Sequence, residues 1–411
     1  MMDKHMPSSG REVGLARNLG LSLITLYGLG NILGAGIYVL VGEVVGAAGM
    51  GAPMAFVMAA MIAALTAFSY GELAARFPVS AGEAVYVDEA FDVRWLSMVV
   101  GLLIATAGMV SSATLARGFV GYFQVLLELP DALLIVCLVA VLGFIAAWGI
   151  KSSVRIAAAL TLIEAGGLIM IIIVAGGELH TVPEHLPRML LQDGNATLAG
   201  VILGAFLAFF AFIGFEDMVN VAEEVERPER NLPLGILIAL CVSTVIYLLV
   251  VLVALTSVPM ERLAESKAPL ALVYQHVTGR SPILISGIGV LAVINGALVQ
   301  IIMAARIFYG MSAKGWLPRA LGTINPTTRT PVTATVVVAV IIILLATWFP
   351  LVHLASATSF LVLAVFGLVN LALVALKRRQ PRVVGVMPCP VWVPVAGAVT
   401  SFGLLFAQFL P

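Results

Sequence analysis
The stretch GNILGAGIYVLVGE, residues 30–43, lies inside the first long apolar run of the chain and carries Gly30, Gly34 and Gly36 close together. Glycine costs about 1 kcal/mol relative to alanine in a helix interior. A helix of membrane length is therefore weakened near its own middle. Close helix packing through Gly30-xxx-Gly34 and Gly42-xxx-Gly46 is one account of these glycines. A built-in break in the helix is the other, and the rest of the chain bears on the choice.

The chain has 411 residues, 61% of them hydrophobic and 11% charged, and its mean hydropathy is +1.10. A soluble domain carries about 25% charged residues, so this is an integral membrane protein. Its net charge of zero gives no sign of a nucleic-acid partner. Cys137, Cys241 and Cys389 lie in or beside apolar runs and read as small buried hydrophobes, not as a disulfide framework or metal site.

A span of about 30 Å needs roughly 20 apolar residues. Eleven runs qualify, at 19–43, 52–75, 95–126, 132–150, 154–176, 197–222, 233–257, 282–311, 331–349, 353–376 and 391–410. Residues 1–18 are polar and basic, and the run after them is too long for a signal-peptide core, so it reads as a retained first helix. Residues 78–95 and 314–331 read as polar loops. Of the 22 Lys and Arg, Arg117 and Arg306 fall within helices. Arg188, Arg262, Lys267 and Arg280 fall in loops on one side, and all the others on the side of the N-terminus. That bias predicts a cytoplasmic N-terminus in the cell membrane.

A second weak point resembles the first. AFFAFIGFEDMVN, residues 208–220, sets Gly214 beside Glu216 and Asp217 in the sixth run. The second feature lies five runs after the first, which predicts a five-plus-five inverted repeat. The first repeat spans 19–176, the second 197–376, with an additional helix at 391–410. Paired Gly-interrupted segments at corresponding positions point to a transporter binding site. A broken helix bares backbone N–H and C=O groups that need partners. A zwitterion supplies them, its carboxylate at a half-helix N-terminus and its ammonium at free carbonyls.

Four stretches carry a family resemblance: GLGNILGAGIYVL (28–40), SYGELAARFPVSAGEAVYVDEAF (69–91), FFAFIGFEDMVNVAEEVERPERNLP (209–233) and MSAKGWLPRALGTINPTTRTPVTA (311–334). Their order and spacing resemble the amino acid–polyamine–organocation superfamily. The resemblance implies an all-α LeuT-type fold of ten core helices and secondary transport of amino acids or related amines. Such proteins usually have twelve helices, and eleven are visible here. The resemblance places Gly34, Ala35, Gly36 and Ile37 at the substrate carboxylate, with Asn31 just before the break. Ala35 stands where relatives often carry a hydroxyl. The ammonium would meet carbonyls at Phe210, Phe212 and Ile213 beside Gly214, with Phe210 also at a gating position. Ser112 and Gln300 match side-chain-contacting positions, and Tyr86 matches an aromatic near the inner gate.

Ionisable groups inside a membrane are expensive and therefore functional candidates. Glu164 sits about ten residues into the fifth run with almost no polar neighbour in sequence. It reads as a coupling carboxylate that loads and releases a proton. A sodium ligand and a structural partner are the alternatives. Glu216 matches a family acid at the heart of the protein and is a second candidate for proton response or gating, while Asp217 reads as structural. Glu72 and Arg76 are spaced for an ion pair within a helix. His180 and His185 lack a third metal ligand, no phosphate-binding loop is present, and no catalytic set or resident cofactor is visible. The resulting expectation is a permease with an amino acid or amine substrate and protons, or sodium, as coupling ion. An exchanger without net proton flow and a transport-inactive sensor are the alternatives.

Overall fold
In the computed structural model, residues 19–78, 82–148, 154–190, 197–381, 383, 386 and 388–408 are described. Residues 1–18, and with them Lys4, Arg11 and Arg17, fall outside these, as do Lys151 and Arg382. Among the described residues the chain is helical, with a single bridge between Leu19 and Val225. The helices are α1 (Leu21–Leu33), α2 (Ala35–Ala48), α3 (Ala52–Arg76), α4 (Gly82–Phe91), α5 (Arg94–Gln124), α6 (Asp131–Trp148), α7 (Val154–Ala175) and α8 (Val182–Met189). They continue as α9 (Leu198–Phe212), α10 (Pro228–Ser257), α11 (Met260–Glu265), α12 (Pro269–Thr278), α13 (Ile283–Ala313), α14 (Val332–Trp348), α15 (Leu351–Arg379) and α16 (Trp392–Ala407).

Eight helical runs are long and apolar enough to cross a membrane, and α1, α14 and α16 are shorter apolar helices. The run from Gly36 to Arg76 holds the second half of one crossing and the whole of the next, because the backbone turns at Gly49, where φ is 56°. Two crossings are composite. The first is α1 followed by α2, and the sixth is α9 followed by a 3-10 segment, Glu216–Glu224. With these joined, eleven crossings match the eleven apolar runs. Helices are dictated by the solvent, since lipid offers no partner to an unpaired backbone group. The perimeter is apolar, and Trp95, Trp148, Trp348 and Trp392 are all exposed there. Each stands at or next to a helix end, as expected for rings seated at the membrane–water boundary. Cys137 and Cys241 are also exposed, which corrects the reading of them as buried. They sit on this lipid-facing perimeter, and only Cys389 is buried.

The loop expected at 78–95 is a helix over Gly82–Phe91, with Glu83 in its first turn. Its Tyr86, Val87 and Ala90 are fully buried, and that burial outweighs the polar look of the stretch. The ends of α3 and α15 are tied by charge. Glu72 takes Arg76 at 2.5 Å and Lys377 at 2.8 Å, and its second oxygen accepts the Cys389 N–H at 2.8 Å. The expected Glu72–Arg76 pair is thus present within a larger buried set.

Packing gathers crossings into two groups, with α7 touching both. The broken segments α1–α2 and α9 pack with α3 and α10, while α5 packs with α13 and α14, and α6 with α14. α16 lies against α15 and α3. The side holding Arg76, Lys314 and Lys377 is called the basic side below.

Candidate functional site
The two weak points meet. α1 stops at Gly34, whose N–H donates to the Gly30 carbonyl at 3.1 Å, and α2 starts without a side-chain cap. The amides of Ala35, Gly36 and Ile37 therefore open α2 as its unpaired first turn. α9 ends at Phe212, and Ile213 N–H donates to the Phe210 carbonyl at 3.2 Å. Gly214 then takes φ 128°, and a Cβ there would lie 2.5 Å from the Asn31 carbonyl oxygen. A Cβ on Gly36 would lie 2.8 Å from the Ala211 Cα. These two glycines are required by the approach of one broken segment to the other. The other glycine pair packs as a small-residue pair does: Gly42 touches the Leu263 carbonyl and Gly46 touches Ala264 of α11.

Three tyrosine hydroxyls lie on backbone carbonyls around this geometry, and those met by Tyr247 are the two left by the breaks. The Tyr247 hydroxyl of α10 lies on the carbonyls of Ile32 and Ala211, one from each broken segment. The Tyr122 hydroxyl donates to the Tyr38 carbonyl at 2.7 Å. The Tyr38 hydroxyl donates to the Glu164 carbonyl at 2.7 Å.

A cavity of about 1320 Å³ runs from the basic side, where Leu19, Ser97, Lys314 and Trp316 line it, up to Gly30, Asn31 and Ile213 at the breaks. Of the residues expected at a site, Asn31, Ile213, Glu216 and Gln300 line it. The Asn31 amide nitrogen is buried with no hydrogen-bond partner among the described residues, and the residue lines the cavity. Gly34, Ala35, Gly36 and Ile37 lie beyond the lining, roughly one helical turn further from the basic side. Ser112 turns away, its hydroxyl donating to the Ala297 carbonyl at 3.4 Å. Its neighbour Ser111 lines the cavity instead.

The phenylalanines pack. Phe212 lies edge-on to Tyr247 at 5.2 Å and to Phe56 at 6.4 Å. Phe210 is 4% exposed, and Phe209 meets Phe366 at 5.7 Å. Tyr86 is buried edge-on to Tyr70 at 6.3 Å, with no partner for its hydroxyl among the described residues.

Glu164 is fully buried. One carboxylate oxygen accepts the Asn295 amide of α13 at 3.1 Å, and the other has no partner among the described residues. Asn295 and Thr161, one turn before Glu164, both line the cavity, and Thr161 fits against Gly30. Glu216 accepts the Gly214 N–H at 2.8 Å, so this acid is bonded to the second break itself. Asp217, read from the sequence as structural, is 4% exposed and lines the cavity. Arg306 reaches the same cavity, whereas Arg117 donates to the Thr347 carbonyl at 2.9 Å. His180 contacts the Gly177 carbonyl of its own turn, and no cluster with metal-ligand spacing occurs among the described residues.

Glu83, Asn295 and Tyr247 escaped the sequence reading. Asn295 had a signal: it is a polar residue in the apolar stretch ILISGIGVLAVINGALVQII, the same feature that singled out Glu164.

The sequence profile of the amino acid permeases matches residues 19–411. The chain belongs to the amino acid permease family. It is 30% identical to the branched-chain amino acid permease BcaP of Bacillus subtilis, over 97% of this chain and 88% of that protein. It is 27% identical to the methylthioribose transporter of the same organism, over 99% and 91%. Against the vacuolar cationic amino acid transporter 4 of Arabidopsis thaliana identity is 30%, over 89% of this permease and 64% of that protein. The relatives are thus named for three different kinds of cargo.

Proposed function
We propose that this permease is a secondary active transporter that carries amino acids across the cell membrane by alternating access, driven by protons. The observation that carries the reading is the meeting of two broken helices at the inner end of a cavity open to the basic side. In this reading the basic side is cytoplasmic. Residues 19–176 and 197–376 are the two inverted halves. The substrate carboxylate takes the free amides that open α2 and the unpartnered Asn31 amide. Its ammonium takes carbonyls of the α9 break, around Phe210, Phe212 and Ile213.

α1–α2 and α9, with α3 and α10, rock against α5, α6, α13 and α14. A ligand bridging both groups favours the closed form because it contacts both only there. Glu164 is the coupling carboxylate, held by Asn295 of α13, with Glu216 and Tyr86 at the gate. The test is a thermal-shift screen of the twenty amino acids and common polyamines, followed by proteoliposome uptake of the best ligand with and without a pH gradient. Ligand-dependent stabilisation and gradient-driven uptake are expected. Absence of uptake for every ligand that binds would overturn transport. Uptake indifferent to the gradient would overturn proton coupling.

A further inference from the structure
Three carboxylates, Glu83, Glu216 and Asp217, line one cavity. They arrive from two elements. Glu83 opens α4, and the others begin the 3-10 segment after the second break. The elements are pressed together where Gly82 packs on Val219 and Asn220. Asp217 and Glu216 both lie within electrostatic reach of Glu83.

Two of the three have partial partners. Glu83, 5% exposed, accepts the Tyr70 hydroxyl at 3.2 Å, and Glu216 accepts the Gly214 N–H. Asp217 is 4% exposed, faces the cavity and has no hydrogen-bond partner for its carboxylate among the described residues. No lysine or arginine makes an ion pair with any of the three among the described residues. The cations that reach the cavity are Arg306 of α13 and Lys314 just past its end.

A buried carboxylate without a partner is costly unless a proton or cation joins it. Burial pushes Glu83 up to about 7, so near neutrality a small stabilising charge ionises it. The three acids do not converge closely enough to ligate one metal ion. They share a wall of a cavity far larger than a bare ion needs, which suits a cation with several donors spread over a few ångströms.

We propose that Glu83 and Asp217, backed by Glu216, form a subsite for the side-chain ammonium or guanidinium of a cationic amino acid. This inference rests on the amino acid transport reading and names its substrate class. The α-amino and carboxylate groups stay at the breaks, and the long side chain points toward the basic side, where Glu216 is bonded to the break itself.

The experiment measures binding of lysine, arginine and leucine to the purified full-length permease and to Glu83→Gln and Asp217→Asn. Lysine and arginine should bind the parent about tenfold tighter than leucine. Each variant should weaken the two cations about tenfold, and leucine less than twofold, since one charge-assisted contact is worth about that. Leucine preferred by the parent, or equal losses for all three ligands, overturns the subsite while leaving amino acid transport standing. Binding of no amino acid at all overturns both. Should a variant fail to fold, the parent alone decides: between pH 8 and 5.5 lysine affinity should fall and leucine affinity should not. Parallel behaviour of the two overturns the proposal.

Discussion

Removing a single oxygen from α10 tests the contact between the broken helices. Tyr247 is fully buried, with its ring edge-on to Phe212 at 5.2 Å and to Phe56 at 6.1 Å. Its hydroxyl is the donor shared by Ile32 of α1 and Ala211 of α9. Tyr247→Phe keeps the ring and strands both carbonyls. A buried polar group left unpaired costs about 1–3 kcal/mol. One proton serves both acceptors, so the loss is less than twice the single value, about 2 kcal/mol. Tyr122→Phe is the control. It removes only a second donor from the Tyr38 carbonyl, 2.7 Å from the hydroxyl, which lies inside α2 and keeps its helix bond, so the loss is below about 1 kcal/mol. Denaturant unfolding in detergent, followed by tryptophan fluorescence, measures both. Saturating substrate adds the same linkage term to each variant, about 2.7 kcal/mol at a hundred times Kd, unless the hydroxyl also shapes the site. Tyr247→Phe should be the less stable of the two. A Tyr247→Phe protein as stable as its parent, or more stable than Tyr122→Phe, would refute the claim that this hydroxyl joins the breaks.

Gly214→Ala forces a side chain into φ 128° with its Cβ 2.5 Å from the Asn31 oxygen. The strain alone costs about 1–3 kcal/mol, so uptake should collapse while size-exclusion profiles still show folded protein; normal uptake would contradict the close approach. On the proton-coupled reading, Glu164→Gln should still bind substrate but lose its response to a pH gradient in proteoliposomes, and retained pH-driven uptake would sink that role. Glu83 is raised from 4.5 to about 7 by burial, so between these values the folded state holds a proton that the unfolded state releases. Stability should therefore fall as pH rises from about 4.5 to 7 and level off above. Glu83→Gln should flatten that slope, and midpoints with the same pH dependence in both proteins would count against it.

The fold was legible because lipid leaves few options. Runs of apolar residues must be helices, and the two glycine-centred breaks stood out against them. What sequence could not supply was rotation and proximity. Ser111 and Ser112 differ by about 100° around α5, and that turn decides that the first faces the cavity and the second a carbonyl of α13. Glu83 stayed hidden because residues 78–95 read as solvated loop. It matters only because α4 folds back, its start on the 3-10 segment and its Tyr86 edge-on to Tyr70. Phe210 has the right residue type for a gate over ligand, yet it is buried away from the cavity lining. An apolar ring on a helix carries no mark of which neighbour it meets.

The surroundings of Glu164 give the proposed coupling a physical form. The residue touches both packing groups, since the Tyr38 hydroxyl of α2 lies on its carbonyl and the Asn295 amide of α13 on its carboxylate. The Asn295 contact uses an oxygen that accepts a hydrogen bond whether or not the group carries a proton. The difference between the two protonation states therefore falls on the second, unpartnered oxygen. Ionised, that oxygen is a buried acceptor without a donor; protonated, it becomes a donor seeking an acceptor. Each state favours a different arrangement of nearby polar groups, and Asn295 and Thr161 carry that preference to the cavity wall. Thr161 lies against Gly30, one turn before the first break. On the proposed reading, a proton at Glu164 acts where α7 meets α1, the joint that alternating access would open and close.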